Sequence, residues 1–350
     1  MIEFFNREKD IIKIKNIVKN TPNTVYFIYG PINSGKTSLL MKVFEDLPDD
    51  YRVFYINFRG IETRKYEDFV NALFTVKHQT FWEKVKEKSD LISAGIQFVE
   101  KVAEKLNYTF PVPKQILMAL ISGKDSSEQI DCFKYLEELM RKLREKGKKV
   151  VFVLDELQML KELKKNGYIL HDLFNFLVRI TKETHLCHCL CATSDCLFIE
   201  EIFSNARLEG RAKFILIDDL DKNDAFYVYD KFKFEKKEIV WDYIGGKIGD
   251  MINLYEEKKQ GYSEEEGLKR MLKMEIGRIR WLMKKVDKEE REKLLETLNK
   301  IAEKEVVNQN EINENELKFL INKNILFYDP LEDIIRPQGK IIWNAIREVK

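Results

Sequence analysis

The sequence predicts an α/β protein in which a parallel sheet covered by helices is followed by a helical domain and a winged helix. Three observations lead to this prediction. Strand-like and helix-like patterns alternate over about the first 220 residues, which favours a mostly parallel sheet. The strand-like runs are apolar on both faces, as in strands covered by helices. Beyond residue 221 the pattern is helical, until a helix–hairpin–helix pattern ends the chain.

Five apolar runs are predicted as strands of the sheet: Val25–Tyr29, Val53–Asn57, Val150–Leu154, Leu186–Ala192 and Phe214–Ile217. A long insertion, residues 60–147, separates the second run from the third. It has a mostly helical pattern with charged faces and a break at Pro111-Val-Pro113. We interpret it as packed helices, and a surface for a partner is the alternative.

The first strand leads into Gly30-Pro-Ile-Asn-Ser-Gly-Lys-Thr37, which fits the phosphate-binding P-loop pattern G-x-x-x-x-G-K-[ST]. An amphipathic run follows, so the motif has its required strand–loop–helix context. Lys36 is expected to reach the β- and γ-phosphates, and the Thr37 hydroxyl is expected to ligate Mg²⁺. Backbone N–H groups of the loop and helix start would surround the phosphates. The expected nucleotide contacts are Gly30, Pro31, Asn33, Ser34, Gly35, Lys36, Thr37 and Ser38.

The third strand ends in Asp155-Glu156, a Walker B pattern at the end of a buried strand. Asp155 is expected to hold Mg²⁺ directly or through water, and Glu156 to polarise the attacking water as a general base. Two solvated acids at a strand end are the structural alternative. Glu156 indicates an ATP-hydrolysing protein rather than a small-molecule kinase. The sequence has no Asn-Lys-x-Asp stretch that would read guanine, so ATP is favoured over GTP.

The fourth strand runs into Ala192-Thr193-Ser194-Asp195. A hydroxyl at the end of a strand beside the P-loop strand could sense the γ-phosphate or the attacking water. Thr193 and Ser194 are both candidates, and Ser194 is slightly favoured. The alternative is an N-cap for a helix that begins near Leu197, a role that Asp195 could also fill.

Three cysteines in the same strand, Cys187, Cys189 and Cys191, have spacing that suggests a metal site, and Cys196 is near. Residues two apart share one face of a strand, so the three thiols would lie along a line. A line of thiols does not close a tetrahedral site without bending the strand. We therefore expect a buried core strand, with a metal or redox site as the alternative.

Composition excludes strong electrostatic steering, because 60 Lys and Arg nearly balance 59 Asp and Glu. No apolar run approaches the roughly 18–20 residues that a membrane span needs, and no N-terminal signal pattern is present. A cytoplasmic location without membrane contact is expected.

Together these motifs resemble those of the archaeal ATPase family, AAA-related and STAND-type P-loop ATPases that are similar to Orc/Cdc6 proteins. Phe4-Phe5-Asn6-Arg7-Glu8-Lys9-Asp10 resembles the family's hydrophobic-hydrophobic-Gly-Arg-Glu-x-Glu signature, with Asn6 in place of Gly. The resemblance implies that this segment, with Arg7, packs beside the adenine. An amphipathic helix Asn6–Asn20 capped by Asn6 is the alternative. Leu157-Gln158 completes a family-like Asp-Glu-x-Gln form.

Two further segments carry the resemblance. Leu208-Glu-Gly-Arg211 resembles a family Gly-Arg segment, which implies that Arg211, or secondly Arg207, contacts the γ-phosphate or an element moving with it. A surface salt bridge explains either arginine equally well. Gly245-Gly246-Lys247-Ile248 resembles the Gly-Gly-x-Pro motif of the family's helical lid, with Ile248 in place of the proline that lies near the nucleotide.

The last part of the chain has a winged-helix pattern: a helix Arg291–Lys304, a second helix from Glu316, strands Ile325–Tyr328 and Ile334–Pro337, and a helix Gly339–Arg347. From Lys284 to Lys350, 13 basic residues face 14 acidic ones, and Glu314 and Glu316 open the expected recognition helix. Double-stranded DNA is therefore one possible partner, and a protein contact or autoinhibition is at least equally supported.

These observations predict three domains: an ATPase core over 1–220, a helical lid over 221–285 and a winged helix over 286–350. The expected function is an ATP-binding, slowly hydrolysing switch that couples lid and winged-helix movement to partner assembly, with homo-oligomer formation on ATP binding. A DNA-binding Orc-like ATPase and a non-hydrolysing nucleotide-binding scaffold are the alternatives.

Overall fold

The computed structural model describes residues 7–60, 65–74, 106–107, 132–161, 163, 169–205 and 208–349. Six parallel strands form the central sheet: β1 (Val25–Tyr29), β2 (Tyr51–Asn57), β3 (Leu106–Asn107), β4 (Lys149–Asp155), β5 (Cys187–Ala192) and β6 (Ala212–Leu216). Their order is β3-β2-β4-β5-β1-β6. The parallel α/β class and its five predicted strands are confirmed. Strand β3 lies inside the 60–147 insertion, for which a mostly helical structure and no strand of the sheet were predicted.

Helices cover both faces of the sheet, because alternate residues of each strand point to opposite sides. The helices of this part are α1 (Glu8–Lys19), α2 (Lys36–Glu45), α3 (Tyr66–Phe74), α4 (Cys132–Glu145), α5 (Ile169–Val178) and α6 (Cys196–Phe203). Ile28 and Val153 pack with α1 and α2 on one face. Phe27 and Phe152 pack with α3–α6 on the other.

The cysteine run is a core strand, as predicted. Cys187, Cys189 and Cys191 are fully buried in β5 on the side of α3–α6, and the Sγ atoms of Cys187 and Cys189 lie 3.7 Å apart. Burial raises the pKa of the Cys189 and Cys191 thiols, which keeps them protonated. Within the described ranges, no cluster of three or more His, Cys, Asp or Glu could hold a metal ion.

The region predicted as the lid, and called the lid below, contains helices α7 (Lys222–Lys231), α8 (Lys237–Ile244), α9 (Ile248–Lys259) and α10 (Glu264–Lys284). The Ser263 side chain accepts from the Glu266 N–H, and the Glu266 carboxylate accepts from the Ser263 N–H. This capping box fixes where α10 begins.

The C-terminal module, residues 288–349, contains α11 (Lys288–Glu303), β7 (Val307–Asn308), α12 (Glu314–Asn322), β8 (Leu326–Asp329), β9 (Ile334–Pro337) and α13 (Lys340–Glu348). Its three strands form an antiparallel sheet in the order β7-β9-β8. The order of helices and hairpin matches the sequence expectation, and the winged-helix assignment stays a prediction. Across the described part of the chain, every helix is too short or too polar to cross a bilayer.

Candidate functional site

The P-loop lies at the carboxyl edge of the sheet, where β1 ends between β5 and β6. Gly30 begins the loop with φ of 153°, and a Cβ at this position would lie 2.2 Å from the Ile217 carbonyl oxygen. Only glycine permits this approach of the two strand ends. Gly35, with φ of 93°, leads into α2, whose first N–H groups have no intrahelical acceptors. The loop therefore has the backbone form of an anion site.

Lys36 is buried and turned onto its own loop. Its Nζ donates to the carbonyl oxygens of Gly30 (3.0 Å) and Pro31 (2.8 Å), and lies 3.5 Å from the Ser34 Oγ. Burial lowers the pKa of Lys36 to about 8, although the nearby Asp155 acts in the opposite direction. An anion in the loop would supply the charge partner that this buried ammonium group favours.

Thr37 and Asp155 meet as the two motifs predict. The Thr37 hydroxyl donates to the Asp155 Oδ2 at 2.8 Å, and the Tyr55 hydroxyl donates to the same oxygen at 2.6 Å. The Glu156 N–H donates to the Asp155 Oδ1 at 2.9 Å, so both carboxylate oxygens are oriented. Adjacent hydroxyl and carboxylate oxygens are the ligands that Mg²⁺ prefers. Thr37 and Asp155 therefore fit the predicted magnesium site.

Glu156 belongs to a polar network at the same edge. Its carboxylate accepts from Arg59 (2.7 Å), which follows β2, and from the Gln158 Nε2 (2.6 Å). The Gln158 Oε1 in turn accepts from the Thr193 hydroxyl at 2.7 Å. Gln158 therefore links the predicted general base to the end of β5, the strand beside β1.

Thr193, rather than Ser194, connects to this network. Thr193 is buried and its N–H donates to the Ile28 carbonyl at 3.0 Å, whereas Ser194 is half-buried. The cap of α6 is Asp195, whose side chain accepts from the Phe198 N–H at 3.0 Å. The capping role considered for Ser194 thus belongs to Asp195. A sensor role for Ser194 stays a prediction, and Thr193 has the better placement.

Arg7 lies against the P-loop, and its implied position beside the adenine stays a prediction. Its Nη2 donates to the carbonyl oxygens of Ser34 and Asp218, both at 2.6 Å, and its Nη1 pairs with Asp10 at 3.1 Å. Arg7 thereby joins the start of α1 to the loop and to the segment after β6. The helix begins at Glu8 without an observed side-chain cap, and Phe4, Phe5 and Asn6 lie outside the described residues.

The position of Arg211 contradicts its predicted contact with the γ-phosphate. Its carbonyl accepts from the Val25 N–H (3.0 Å) and from the Thr24 hydroxyl (2.8 Å), at the amino end of β1. The P-loop begins at the other end of this five-residue strand, about 16 Å away. Arg211 therefore does not contact the γ-phosphate in its own chain. The second choice, Arg207, lies outside the described residues.

The lid contacts the P-loop through the Gly-Gly-Lys-Ile segment. The Lys247 Nζ donates to the Ile32 carbonyl at 3.0 Å and pairs with Asp219 at 3.2 Å. The Ile248 Cδ1 lies 3.3 Å from where a Cβ on Gly35 would be. Ile248 thus contacts the loop from the position that the family proline would occupy.

The C-terminal module also touches the P-loop. The Gln338 Oε1 accepts from the Ile32 N–H at 3.1 Å, and its Nε2 donates to the Leu326 carbonyl at 3.1 Å. Beside it, the Tyr29 hydroxyl donates to the Asp329 Oδ1 at 2.8 Å, with both side chains buried. The Ile32 peptide groups are therefore bonded on one side by the module and on the other by lid Lys247.

Asp250, in the first turn of α9, is a half-buried residue whose carboxylate oxygen Oδ2 is buried close to these contacts. Its Oδ2 has no hydrogen-bond partner within the described residues, and burial raises its pKa to about 7. Lys247 opposes this shift, whereas Asp219 and Glu275 reinforce it. Burial also raises the pKa of Asp219.

Several members of the site were missed from the sequence. Tyr55 lies near the carboxyl end of β2, and Arg59 follows that strand. Because β2 pairs with β4, which ends at Asp155, the sequence positions of Tyr55 and Arg59 could have identified them as residues of the site. Gln158 was identified as part of the Asp-Glu-x-Gln form, but no chemical role was predicted for it. Gln338 had no sequence signal, because only the docking of the C-terminal module brings it to the loop.

Comparison with known proteins agrees with this geometry. Residues 4–254 match the family described as an ATPase domain predominantly from Archaea. Residues 265–350 match the C-terminal domain of MJ1010-like ATP-binding proteins. An ATP-binding protein of Methanocaldococcus jannaschii, MJ0075, is 38% identical over 363 residues, covering 100% of this chain and 99% of the relative.

Solved structures are similar over nearly the whole chain. The Walker-type ATPase PABY2304 of Pyrococcus abyssi has a TM-score of 0.62 at 16% identity, covering 98% of this chain and 96% of that one. The ORC2 protein of Aeropyrum pernix, in complexes with ADPNP and ADP, has a TM-score of 0.49 at 12% identity, covering 99% and 95%. The family match and the 38% identical relative are decisive: the chain belongs to the archaeal family of ATP-binding ATPase-domain proteins.

Proposed function

We propose that this protein binds MgATP, hydrolyses it slowly and uses the nucleotide state to shift the lid and the C-terminal module. One observation carries the proposal. The Ile32 N–H donates to Gln338 of the module, and the Ile32 carbonyl accepts from Lys247 of the lid. Because Ile32 lies inside the P-loop, a change in loop geometry on nucleotide binding would act on both contacts at once.

The chemistry follows from the groups at the carboxyl edge of the sheet. Thr37 and Asp155 would hold Mg²⁺, which when bound neutralises charge on the phosphates. Lys36 would leave its loop carbonyls for phosphate oxygens. Glu156 would accept a proton from the attacking water, while Gln158 and Thr193 position its carboxylate. This assignment gives the motif residues of the P-loop and of the β4 and β5 ends each a task in phosphoryl transfer.

Two substitutions test the catalytic assignment. Lys36→Ala should weaken ATP binding by about 2–5 kcal/mol, since it removes a buried charge partner of the phosphates. Glu156→Gln should keep ATP binding but lower kcat by about 10²–10⁴-fold, because the amide accepts no proton. Binding is measured by calorimetry and turnover by phosphate release.

Glu209→Gln is the matched control, because Glu209 is exposed beside Arg211 at the opposite edge of the sheet. It should behave as wild type. Equal, slow turnover by wild type and Glu156→Gln would remove the general-base role and favour the non-hydrolysing scaffold.

ATP-dependent self-association is part of the proposal. Arg211 is exposed and distant from its own P-loop, so a role for it at a nucleotide requires a neighbouring chain. Sedimentation with and without a non-hydrolysable ATP analogue should show a larger species only with the analogue. Arg211→Ala should abolish that species, and an unchanged monomer under both conditions would contradict the assembly step.

The surface of α12 does not favour DNA as the partner. Its exposed face begins with Glu314, which pairs with Lys318, and Glu316 is buried. Glu200 and Glu201 of α6 lie close enough to act on Lys318. These acids would face phosphates unfavourably. A salt titration with duplex DNA decides: binding that weakens steeply with salt would restore the DNA alternative.

A further inference from the structure

The outward face of α10 carries exposed apolar side chains that the ATPase site does not use. Met274 is 71% exposed and Trp281 is 55% exposed, seven positions apart on one helix face. Gly277 lies between them, and a Cβ there would meet no atom within 4 Å. The three residues form an open apolar strip, here called the α10 seam.

Basic residues flank the α10 seam on both sides. From Leu268 to Lys285 the chain has seven Lys or Arg and a single acid, Glu275. With Met274 and Trp281 at the a positions of a heptad and Gly277 at d, all four e and g positions are cationic. These flanking residues are Lys273, Arg278, Arg280 and Lys285. After the acidic first turn of α10, Glu264–Glu266, positive charge is thus concentrated along the rest of the helix.

These charges are only partly neutralised within the described residues. Arg278 pairs with Glu275 at 2.7 Å, and Arg280 donates to the Glu348 carbonyl at 3.3 Å. The Lys285 Nζ lies 3.7 Å from the Trp281 ring centroid. In the described part of the chain, no ion pair includes Lys273. Arg278 also donates to the Lys323 carbonyl at 2.8 Å, so Lys273, Arg280 and Lys285 are the flanking cations without a carboxylate partner within the described residues, and they present positive charge to a partner.

We propose that the α10 seam docks an acidic amphipathic helix of a partner protein. Its apolar side would cover Met274 and Trp281, and its carboxylates would pair with the basic flanks. A second copy of the same face is excluded as occupant, because like charges would oppose each other on both sides. The phosphate backbone of a nucleic acid fits this face less well, because the apolar side chains of Met274 and Trp281 lie between the two rows of basic residues.

Gly277 supports a helix as the partner segment that docks on the α10 seam. In the middle of an exposed helix, glycine costs about 1 kcal/mol relative to alanine. Nothing within the described residues of this chain occupies the space beside it. A gap between Met274 and Trp281 lets a partner backbone approach closely, with the two larger side chains packing on either side. Docking of a partner helix at the α10 seam does not require ATP hydrolysis.

The experiment uses the full-length protein and a synthetic acidic peptide of about four heptads, with Leu at a and d and Glu at e and g. The matched peptide has Lys at e and g. We expect the acidic peptide to bind and the basic one to fail. The double substitution Lys273→Glu/Lys285→Glu should weaken acidic-peptide binding at least about tenfold and let the basic peptide bind.

Gly277→Leu keeps the test valid if charge reversal disturbs folding. It fills open space, so the melting temperature should not fall, yet it should block close approach and weaken binding about tenfold. Ile12→Ala, on the exposed side of α1 where Ile12 is 57% exposed, is the control and should bind as wild type.

Three outcomes would overturn the proposal: no acidic-peptide binding below about 100 µM, binding unaffected by both variants, or tighter binding at this face to duplex DNA or phosphatidylglycerol vesicles. ATP binding by each variant is measured in parallel. The seam is distant from the P-loop motif in sequence, and loss of ATP binding would identify a folding defect instead.

Discussion

Lys36 is the residue whose charge most directly connects this fold to its nucleotide. The ammonium group is buried, hydrogen-bonded to neutral carbonyls, and its pKa is lowered to about 8 by burial. Phosphate oxygens stabilise the protonated form, so ATP binding must raise this pKa. Lys36 should then take up a proton on binding whenever the free protein has lost it.

We therefore predict that ATP affinity falls as pH rises above about 8, by at most tenfold per pH unit. Below pH 8 Lys36 is already protonated, and its contribution to ATP affinity should not change with pH. Calorimetry at pH 9 in two buffers of different ionisation enthalpy should detect proton uptake on binding. Lys42→Met, on the same helix at a half-buried lysine paired to Glu45, should keep the pH dependence of ATP affinity. An ATP affinity of the wild type that stays constant from pH 7 to pH 9.5 would contradict this prediction.

At the residue scale, sequence motifs located the groups that lie in contiguous stretches or at strand ends. Thr37 meets Asp155 because parallel strands bring their carboxyl ends to one edge. The prediction for Arg211 followed the motif resemblance alone, whereas Arg211 directly precedes β6 and therefore lies at the amino end of the parallel strands, opposite the P-loop. Gln338 was unpredictable because its contact depends on the docking of a distant segment.

At the element scale, the first turn of α9 connects the lid to the core. Lys247 precedes the helix and pairs with Asp219, while Ile248 contacts the P-loop. Gly246 permits this geometry, since a Cβ there would lie 1.7 Å from the Leu220 carbonyl oxygen. Asp250 then places a carboxyl group in a buried site where it has one unpartnered oxygen.

Asp250→Asn should stabilise the protein at pH 8. The folded pKa of Asp250 is about 7, above its ordinary value of 3.8, so its favourable protonated form is lost as pH rises through 7. The neutral amide avoids this charge, and the free energy of unfolding should rise by about 1–3 kcal/mol at pH 8. At pH 5 the difference should be smaller than at pH 8, and it should vanish only below about pH 3.8, where Asp250 is protonated in both the folded and the unfolded chain.

Denaturant unfolding at the two pH values measures this difference. Asp224→Asn, at a half-buried aspartate on the first turn of α7, is the comparison and should change stability less than Asp250→Asn. If Asp250→Asn is destabilising at pH 8, then the carboxylate is charged and usefully paired with Lys247, and the buried-acid interpretation is wrong.

The sequence predicted elements best where periodicity and boundaries agreed. Strands β1 and β4 are apolar runs bounded by a glycine loop and an acid pair, and both lie where expected. Strand β3 was missed because Leu106–Asn107 is too short to show a period, and its pairing with Val53 and Phe54 is a tertiary choice.

At the scale of the whole molecule, the C-terminal module is docked on the nucleotide site rather than tethered beside it. Tyr29 at the end of β1 donates to Asp329 of β8, and Arg336 of β9 pairs with Asp218 after β6. Buried residues of the core, the lid and the module belong to one hydrophobic cluster. A movement of the module must therefore break specific polar contacts at the P-loop edge.

We predict that amide hydrogen exchange in residues 325–338 differs between the ADP-bound protein and the protein bound to a non-hydrolysable ATP analogue. Gln338→Leu should reduce this difference, because the module then loses its bond to the Ile32 N–H. Nucleotide affinity should change by less than about 1.5 kcal/mol, the value of one neutral hydrogen bond. Gln309→Leu is the matched control, since Gln309 accepts from Tyr328 within the module. Identical exchange in both nucleotide states of the wild type would show that the module does not respond to the nucleotide.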